Sequence, residues 1–314
     1  MVRRVAAALA IVCASAGAVQ AQVKLEYKVP EGVTYRQKAA SKTHQVLTIA
    51  GNDVVTDADE EGVATSAAGR RRADGTLPVE ITIRSVKTRL SIAGMEFTID
   101  SADKDPKVDL PQLAFLADVI KALRGSSFTL VLDARNALKS VEGTEKNLAK
   151  AGELSPQAAA ALKSRFDVDR IRRQHDQMRQ VLPEGLVREG EPWDRTEATE
   201  IGGGQTLTFK KRYEYRGTAE QGGRTLDRID VKATEVAYAM DPNVDSPAKV
   251  TKSDLKVESS AGSILFDRES GTVVERKEKT RMKGTMAMTV AGMDLDVALD
   301  LTLDTTATAE KVGK

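Results

Sequence analysis

The clearest pattern of polar and apolar positions lies in residues 263–305, where the two alternate with a period of two. Met282, Gly284, Met286, Met288 and Val290 are even-numbered, with Arg281, Lys283, Thr285 and Thr289 between them. After Ala291 and Gly292 the phase flips. Met293, Leu295, Val297, Leu299, Leu301 and Leu303 are odd, separated by Asp294, Asp296, Asp300, Thr302 and Asp304. Successive strand side chains point to opposite faces, so both runs predict strands with one apolar and one wet face. A two-residue loop at Ala291 and Gly292 sets Met288 against Leu295, Met286 against Val297 and Met282 against Leu301. On the wet face the same register opposes Lys283 to Asp300 and Lys279 to Asp304, both favourable cross-strand pairs.

Residues 79–99 repeat this arrangement. Val86, Leu90 and Ile92 are even, Met95, Phe97 and Ile99 are odd, and SIAGMEF at 91–97 matches TVAGMDL at 289–295 in character. A second echo pairs 128–142 with 263–275, each a predicted hairpin with an aspartate, Asp133 or Asp267, at the entry to its turn. The order of the two hairpins is reversed between the halves, so the chain reads as two related β modules. Leu25, Tyr27 and Val29 predict a further strand, residues 34–50 are extended, and 51–53 read as a turn. The strands predicted at 206–215 and 224–238 are punctuated by glycines, and Trp193 opens the second module. Helical spacing appears at 111–124, stopped by Gly125, and at 156–166 behind the N-cap pair Ser155 and Pro156. It appears again at 168–182, where Val168, Ile171, His175, Met178 and Leu182 form one seam and Arg170, Arg172, Arg173 and Arg179 a basic side.

The fold class that follows is α+β, predominantly antiparallel β, as a curved sheet or incomplete barrel with a few covering helices. The expected organisation is a signal peptide at 1–21, an N-terminal β module at 22–150 with one or two helices, a helical connector at 151–190 and a C-terminal antiparallel module at 191–314. The leader is read from basic Arg3 and Arg4, an apolar run to Val19, and small residues before cleavage near Ala21. Its apolar run is too short to span a membrane, and no other stretch approaches ~20 apolar residues. Cys13 lies inside it, so an exported chain, periplasmic or extracellular, would carry no cysteine.

Of 47 basic residues two, Arg3 and Arg4, fall in the leader, against 46 acidic ones in all. That balance argues against nucleic acid as a partner. The two histidines, His44 and His175, supply little material for a zinc site or a catalytic triad. His175 is read as a packed, hydrogen-bonded core histidine. Asp100, Asp103, Asp105 and Asp109, and again Asp241, Asn243 and Asp245, are close in sequence. They lack the glycine and bidentate glutamate of a helix–loop–helix calcium site, so they are read as turns and caps. The run Arg70, Arg71 and Arg72 is read as a solvated loop, and no catalytic residue, metal or cofactor is assigned. With one tryptophan and five tyrosines, a sugar-stacking site is poorly supplied, although a carboxylate pair for hydrolysis is always available among so many acids.

What remains as a carrier of function is the apolar face. Met282, Met286, Met288, Met293, Leu295, Val297 and Leu299, with Ile120 and Met178 from the helices, are the candidate ligand-binding residues. Methionine adapts to irregular apolar guests, and a hydrocarbon chain gains about 25 cal/mol per Å2 buried. The alternatives are that these residues form an ordinary filled core in a structural or protein-interaction module, or that the chain is a carboxylate-dependent hydrolase.

The leader, the strand pair from Asp74 and Gly75 to Lys87, the GEPW run at 190–193 and residues 263–275 together resemble uncharacterised secreted β-rich bacterial proteins, grouped only as domains of unknown function. More distantly, strands under a helical cover are similar to periplasmic lipoprotein carriers of the LolA and LolB kind. That resemblance implies a lipid or lipidated protein as partner and a non-enzymatic role, at the level of fold alone.

Overall fold

The computed structural model describes residues 22–92, 94–103, 114–202, 204–241, 248–290 and 292–313. The expected leader with Cys13, the aspartates Asp105 and Asp109, Asn243 and Asp245, and the hairpin residues Ala93 and Ala291 lie outside the described residues.

In chain order the first elements are β1 (Val23–Lys24), β2 (Thr34–Ile49), β3 (Asn52–Ala68), β4 (Leu77–Ile92) and β5 (Met95–Asp100). Then come α1 (Ala114–Leu123), β6 (Ser127–Leu132), β7 (Leu138–Glu142), α2 (Thr144–Leu154), α3 (Pro156–Arg165) and α4 (Val168–Gln180). After β8 (Leu186–Val187) the chain is all strand: β9 (Pro192–Gly202), β10 (Gln205–Gln221), β11 (Arg224–Met240), β12 (Ala248–Asp267), β13 (Thr272–Val290) and β14 (Met293–Lys311).

One antiparallel sheet runs β7-β6-β4-β3-β2-β14-β13-β12-β11-β10-β9, with β5 also on β4 and a separate β1–β8 pair. The expected register of the last hairpin holds throughout: Met288 opposes Leu295, Met286 opposes Val297 and Met282 opposes Leu301. Lys283 reaches Asp300 at 3.1 Å and Lys279 reaches Asp304 at 4.0 Å. The echo at 79–99 folds the same way, with Ile92 opposite Met95 and Leu90 opposite Phe97. Both aspartate-entered turns form as well. Asp133 accepts from the N–H groups of Arg135 and Ala137, and Asp267 from those of Glu269 and Ser270. Pairing of β14 with β2, from Val297 opposite Ile49 to Lys311 opposite Tyr35, makes the two halves one continuous sheet.

The sheet curls because its long strands carry bulges. Register shifts interrupt β12 against β13 after Val250, Val257 and Leu265, and β10 against β11 after Lys210 and Tyr215. Each extra residue bends the strand and increases its twist. A further shift sits between Val63 and Ala64 opposite β4. There the inward residues change from odd (Val79, Ile81, Ile83) to even (Val86, Leu90), and Arg84 is the extra residue. The inner face therefore meets itself: Leu207 and Phe209 of β10 share a core with Met282 and Met286 of β13 and Leu299 and Leu301 of β14.

Two local expectations are corrected. Leu25, Tyr27 and Val29 do not continue a strand, because only Val23–Lys24 finds a partner, on β8; Leu25 is instead buried beneath Tyr213 and Phe266. The turn expected at 51–53 falls one residue earlier. Ile49 already pairs with Asn52, and Ala50 and Gly51 take φ of 49° and 82°, both positive as a tight two-residue hairpin loop requires. The acidic run at 57–61, whose pattern predicts no element, lies inside β3. The helix α2, also unpredicted, is fixed by buried Asn147, which donates to the Ser127 carbonyl at 2.9 Å.

The sheet stays open, and α4 lies between its two ends. Toward β9, Arg170 and Arg173 hold Glu200 at 3.0 and 3.1 Å. With its amide oriented to match, Gln177 exchanges two 3.1 Å hydrogen bonds with the backbone of Ala198. Trp193 Nε1 donates to the Val181 carbonyl at 2.8 Å, and Arg195 to that of Gln180 at 2.6 Å. Toward β7, Ile171 packs in one cluster with Leu138 and Leu132, and Arg179 donates to the Arg135 carbonyl at 3.3 Å.

Candidate functional site

The closure by α4 leaves a cavity of about 460 Å3 between the inner face of the sheet and helices α3 and α4. That volume falls within the ~300–1,000 Å3 of small-molecule sites. Strand β4 supplies Val79, Ile81, Ile83 and Val86 to its wall, all brought to one face by alternation and by the bulge at Arg84. Strand β6 adds Phe128, Leu130 and Leu132, α1 adds Leu123, and Phe166 follows α3. From α4 come Ile171, Gln174, His175 and Met178, one helical face.

His175 is the chemically distinctive wall residue. It is only 5% exposed, and neither Nδ1 nor Nε2 has a hydrogen-bond partner. Its neighbour Asp176 lies 3.9 Å from Nδ1, too far for a hydrogen bond. The sequence expectation of a hydrogen-bonded histidine is therefore corrected: His175 is packed, with the Tyr27 ring edge-on at 6.2 Å, but polar-unsatisfied. Burial, then the Arg179 charge, pulls its pKa below the ordinary value, so the ring is neutral at pH 7, one nitrogen donating and one accepting. Burial likewise pushes the Tyr27 hydroxyl up to about 12, against the opposing influence of Arg179.

Of the nine candidate ligand-binding residues, Met178 lines this cavity. Met282, Met286 and Leu299 lie in the closed core with Leu207 and Phe209, and Met288 packs against it. Val297 is 1% exposed on the same strand face, Leu295 is half-buried, and Met293 is 62% exposed beside the hairpin turn. Ile120 packs with Ile99 and Ala117 on the far side of α1. The structure thus divides the set among a filled core, a hairpin tip and a helix contact. The residues missed, Val79, Ile81, Ile83 and Phe128, carried a signal in their alternation at 77–83 and 128–132. Nothing local revealed that helices would stand off from them.

Inward-facing charges sit elsewhere on the same face. Lys211 reaches Glu197 at 3.0 Å and Glu278 at 2.6 Å, and Arg276 bonds Glu197 at 2.7 Å and also Glu278. Burial raises the Glu278 pKa, but Arg276 and Lys211 outweigh it and hold the carboxyl below its ordinary range. Two carboxylates held between two cations make a structural network. The triple-arginine run is also structural: Arg71 donates to the carbonyls of Gly75 and Asp133 and to Asn136. Among the described residues no cluster of three or more His, Cys, Asp or Glu forms a metal site, and Asp100 caps a turn through the Ala102 N–H. No helix among them is long and apolar enough to cross a membrane.

A family model described as a family of unknown function, DUF6263, matches residues 74–273. No curated protein matches the sequence. Among solved structures, the chain is similar to one describing lipid–protein interactions in lipovitellin, at 9% identity and a TM-score of 0.43, covering 90% of this chain. It spans 25% of the length of that lipovitellin chain. A Bacteroides fragilis protein with a YmcC-like fold is similar at 6% identity and a TM-score of 0.23, over 93% of this chain and 100% of that one. The translocator domain of the autotransporter NalP from Neisseria meningitidis is similar at 7% identity and 0.21, over 90% of each.

Proposed function

We propose that this chain, which belongs to the DUF6263 family of unknown function, is an exported, non-enzymatic protein that holds a hydrophobic ligand between its curved sheet and α4. The observation that carries the proposal is the cavity of about 460 Å3 walled by Val79, Ile81, Ile83, Leu123 and Phe128. What sets this space apart is its lining of aliphatic and aromatic side chains from β4, β6 and α1, the surface an apolar guest would cover. Sequestering ten methylenes there contributes roughly 8 kcal/mol, against an association cost of at least ~4 kcal/mol. A free amphiphile or the acyl chain of a lipidated partner meets that requirement. The methionine-rich hairpin serves this reading as the rigid floor of the sheet, since Met282 and Met286 are already packed.

Native mass spectrometry of the protein purified from its own cell envelope tests the proposal. Wild-type protein is expected to retain a lipid-sized adduct, and Ile83→Trp, which fills the cavity, to lose it. Wild-type protein that is repeatedly free of adduct, or an adduct that survives Ile83→Trp, overturns it.

A further inference from the structure

The cavity is not uniformly oily, and its polar side narrows the class of ligand. This step rests on the cavity reading above. The wall by β4, β6 and α1, with Ile83, Val86, Leu123 and Phe128, presents only hydrocarbon. Beyond it the cavity is lined by Tyr27 from the segment before β2, by Gln37 of β2 and Ser66 of β3 on the same sheet, and by Gln174 and His175 of α4 across from them. Arg165 and Arg170 also line it, whereas no aspartate or glutamate does. Arg170 already engages Glu200; Arg165 has no carboxylate within ion-pair distance among the described residues. A guest that filled only the oily wall would leave His175 unpaired at 5% exposure, with the Tyr27 ring edge-on beside it. Buried polar groups are rarely left so without a ligand or water to meet them.

We infer that the cavity takes a single-chain amphiphile bearing a carboxylate, its chain against Ile83 and Phe128 and its head accepting hydrogen bonds from His175 and Tyr27 in the field of Arg165 and Arg170. Hydrogen bonds to an ionised acceptor are the stronger kind, and a carboxylate accepts from both donors without offering one in return. Arg165 and Arg170 favour an anionic head over a cationic one, against the opposing charges of Glu200 and Asp176.

The test uses the full chain and fluorescence of cis-parinaric acid, with its methyl ester and a synthetic diacylated lipopeptide as separate arms. The free acid is expected to bind about tenfold or more tightly than the ester, and His175→Leu to weaken the acid more than the ester and so remove that preference. Should His175→Leu not fold, nitrogen NMR of the wild type replaces it, because the chain has two histidines. Adding the acid should shift the ring nitrogens of His175 and leave those of exposed His44 in place. Equal binding of acid and ester, an unmoved His175 resonance, or tighter binding of the lipopeptide overturns the carboxylate while leaving the cavity reading standing. Failure of all three probes together with adduct-free native protein ends both.

Discussion

Gly284 looks, in the sequence, like a weak member of an apolar row, filling an even position between Met282 and Met286. In the sheet it lies where the β12 backbone at Asp254 and Leu255 leaves no room for a side chain. A Cβ built there would lie 1.9 Å from the Asp254 carbonyl oxygen, and backbone cannot give way as a flexible side chain can. Gly284→Ala is therefore expected to destabilise the fold by about 3 kcal/mol, at the upper end of overpacking, as a lowered urea midpoint with an unchanged slope. At this scale alternation told which face each residue takes, and the cross-strand pairs Lys283–Asp300 and Met288–Leu295 followed correctly. It could not tell how near two backbones would run. Nor could it tell that His175, on an apolar seam, would find no partner, because that depends on residues more than a hundred positions away, such as Tyr27.

Elements were legible where pattern and caps agreed. Ser155 caps α3 through the Ala158 N–H at 3.2 Å, and Gly125 ends α1 with a φ of 72°. They were illegible where a neighbour decided the conformation. The sequence TEKNLAKAGEL is mostly polar, so α2 shows little apolar periodicity, and the segment after β1 departs from strand because it finds no partner. Helix α4 was expected among the covering helices of an incomplete barrel, with one apolar seam. It bridges the two sheet ends, which explains why Ile171 and His175 are buried while Val168 and Met178 remain 37% and 38% exposed. Its C-terminal attachment depends on Trp193, whose indole donates to Val181 and stacks on Tyr213 at 5.8 Å. Trp193→Phe keeps the ring but leaves that carbonyl unpaired, a cost of about 1–3 kcal/mol. Hydrogen exchange should accordingly quicken in the last turn of α4 and stay unchanged in β13 and β14.

For the whole molecule, the sequence predicted the class of fold, an antiparallel sheet with helices, from periodicity alone. The joining of the two halves into one open sheet required the β14–β2 pairing, between strands at opposite ends of the chain, which no local signal announces. The network of Lys211, Arg276, Glu197 and Glu278 is another long-range product, joining β9, β10 and β13. Since the folded Glu278 carboxyl titrates below its unfolded value, its contribution is fully present above the ordinary carboxylate range near pH ~4.3. It is lost as pH falls through the lower folded value. Glu278→Gln should cost about 3 kcal/mol at pH 7, because Lys211 and Arg276 are left short of countercharge. The variant should also show a flatter loss of stability than wild type as pH falls below ~4.3, as measured by urea unfolding at each pH.

The position of α4 carries a last consequence. The helix occupies the backbone of β9 through Gln177 and packs on β7 through Ile171, so it hides two strand margins that would otherwise be templates for a neighbouring molecule. Any outward excursion of that helix would leave both margins bare for a moment, and crowding the protein under conditions that loosen α4 should consequently favour threading into fibrils.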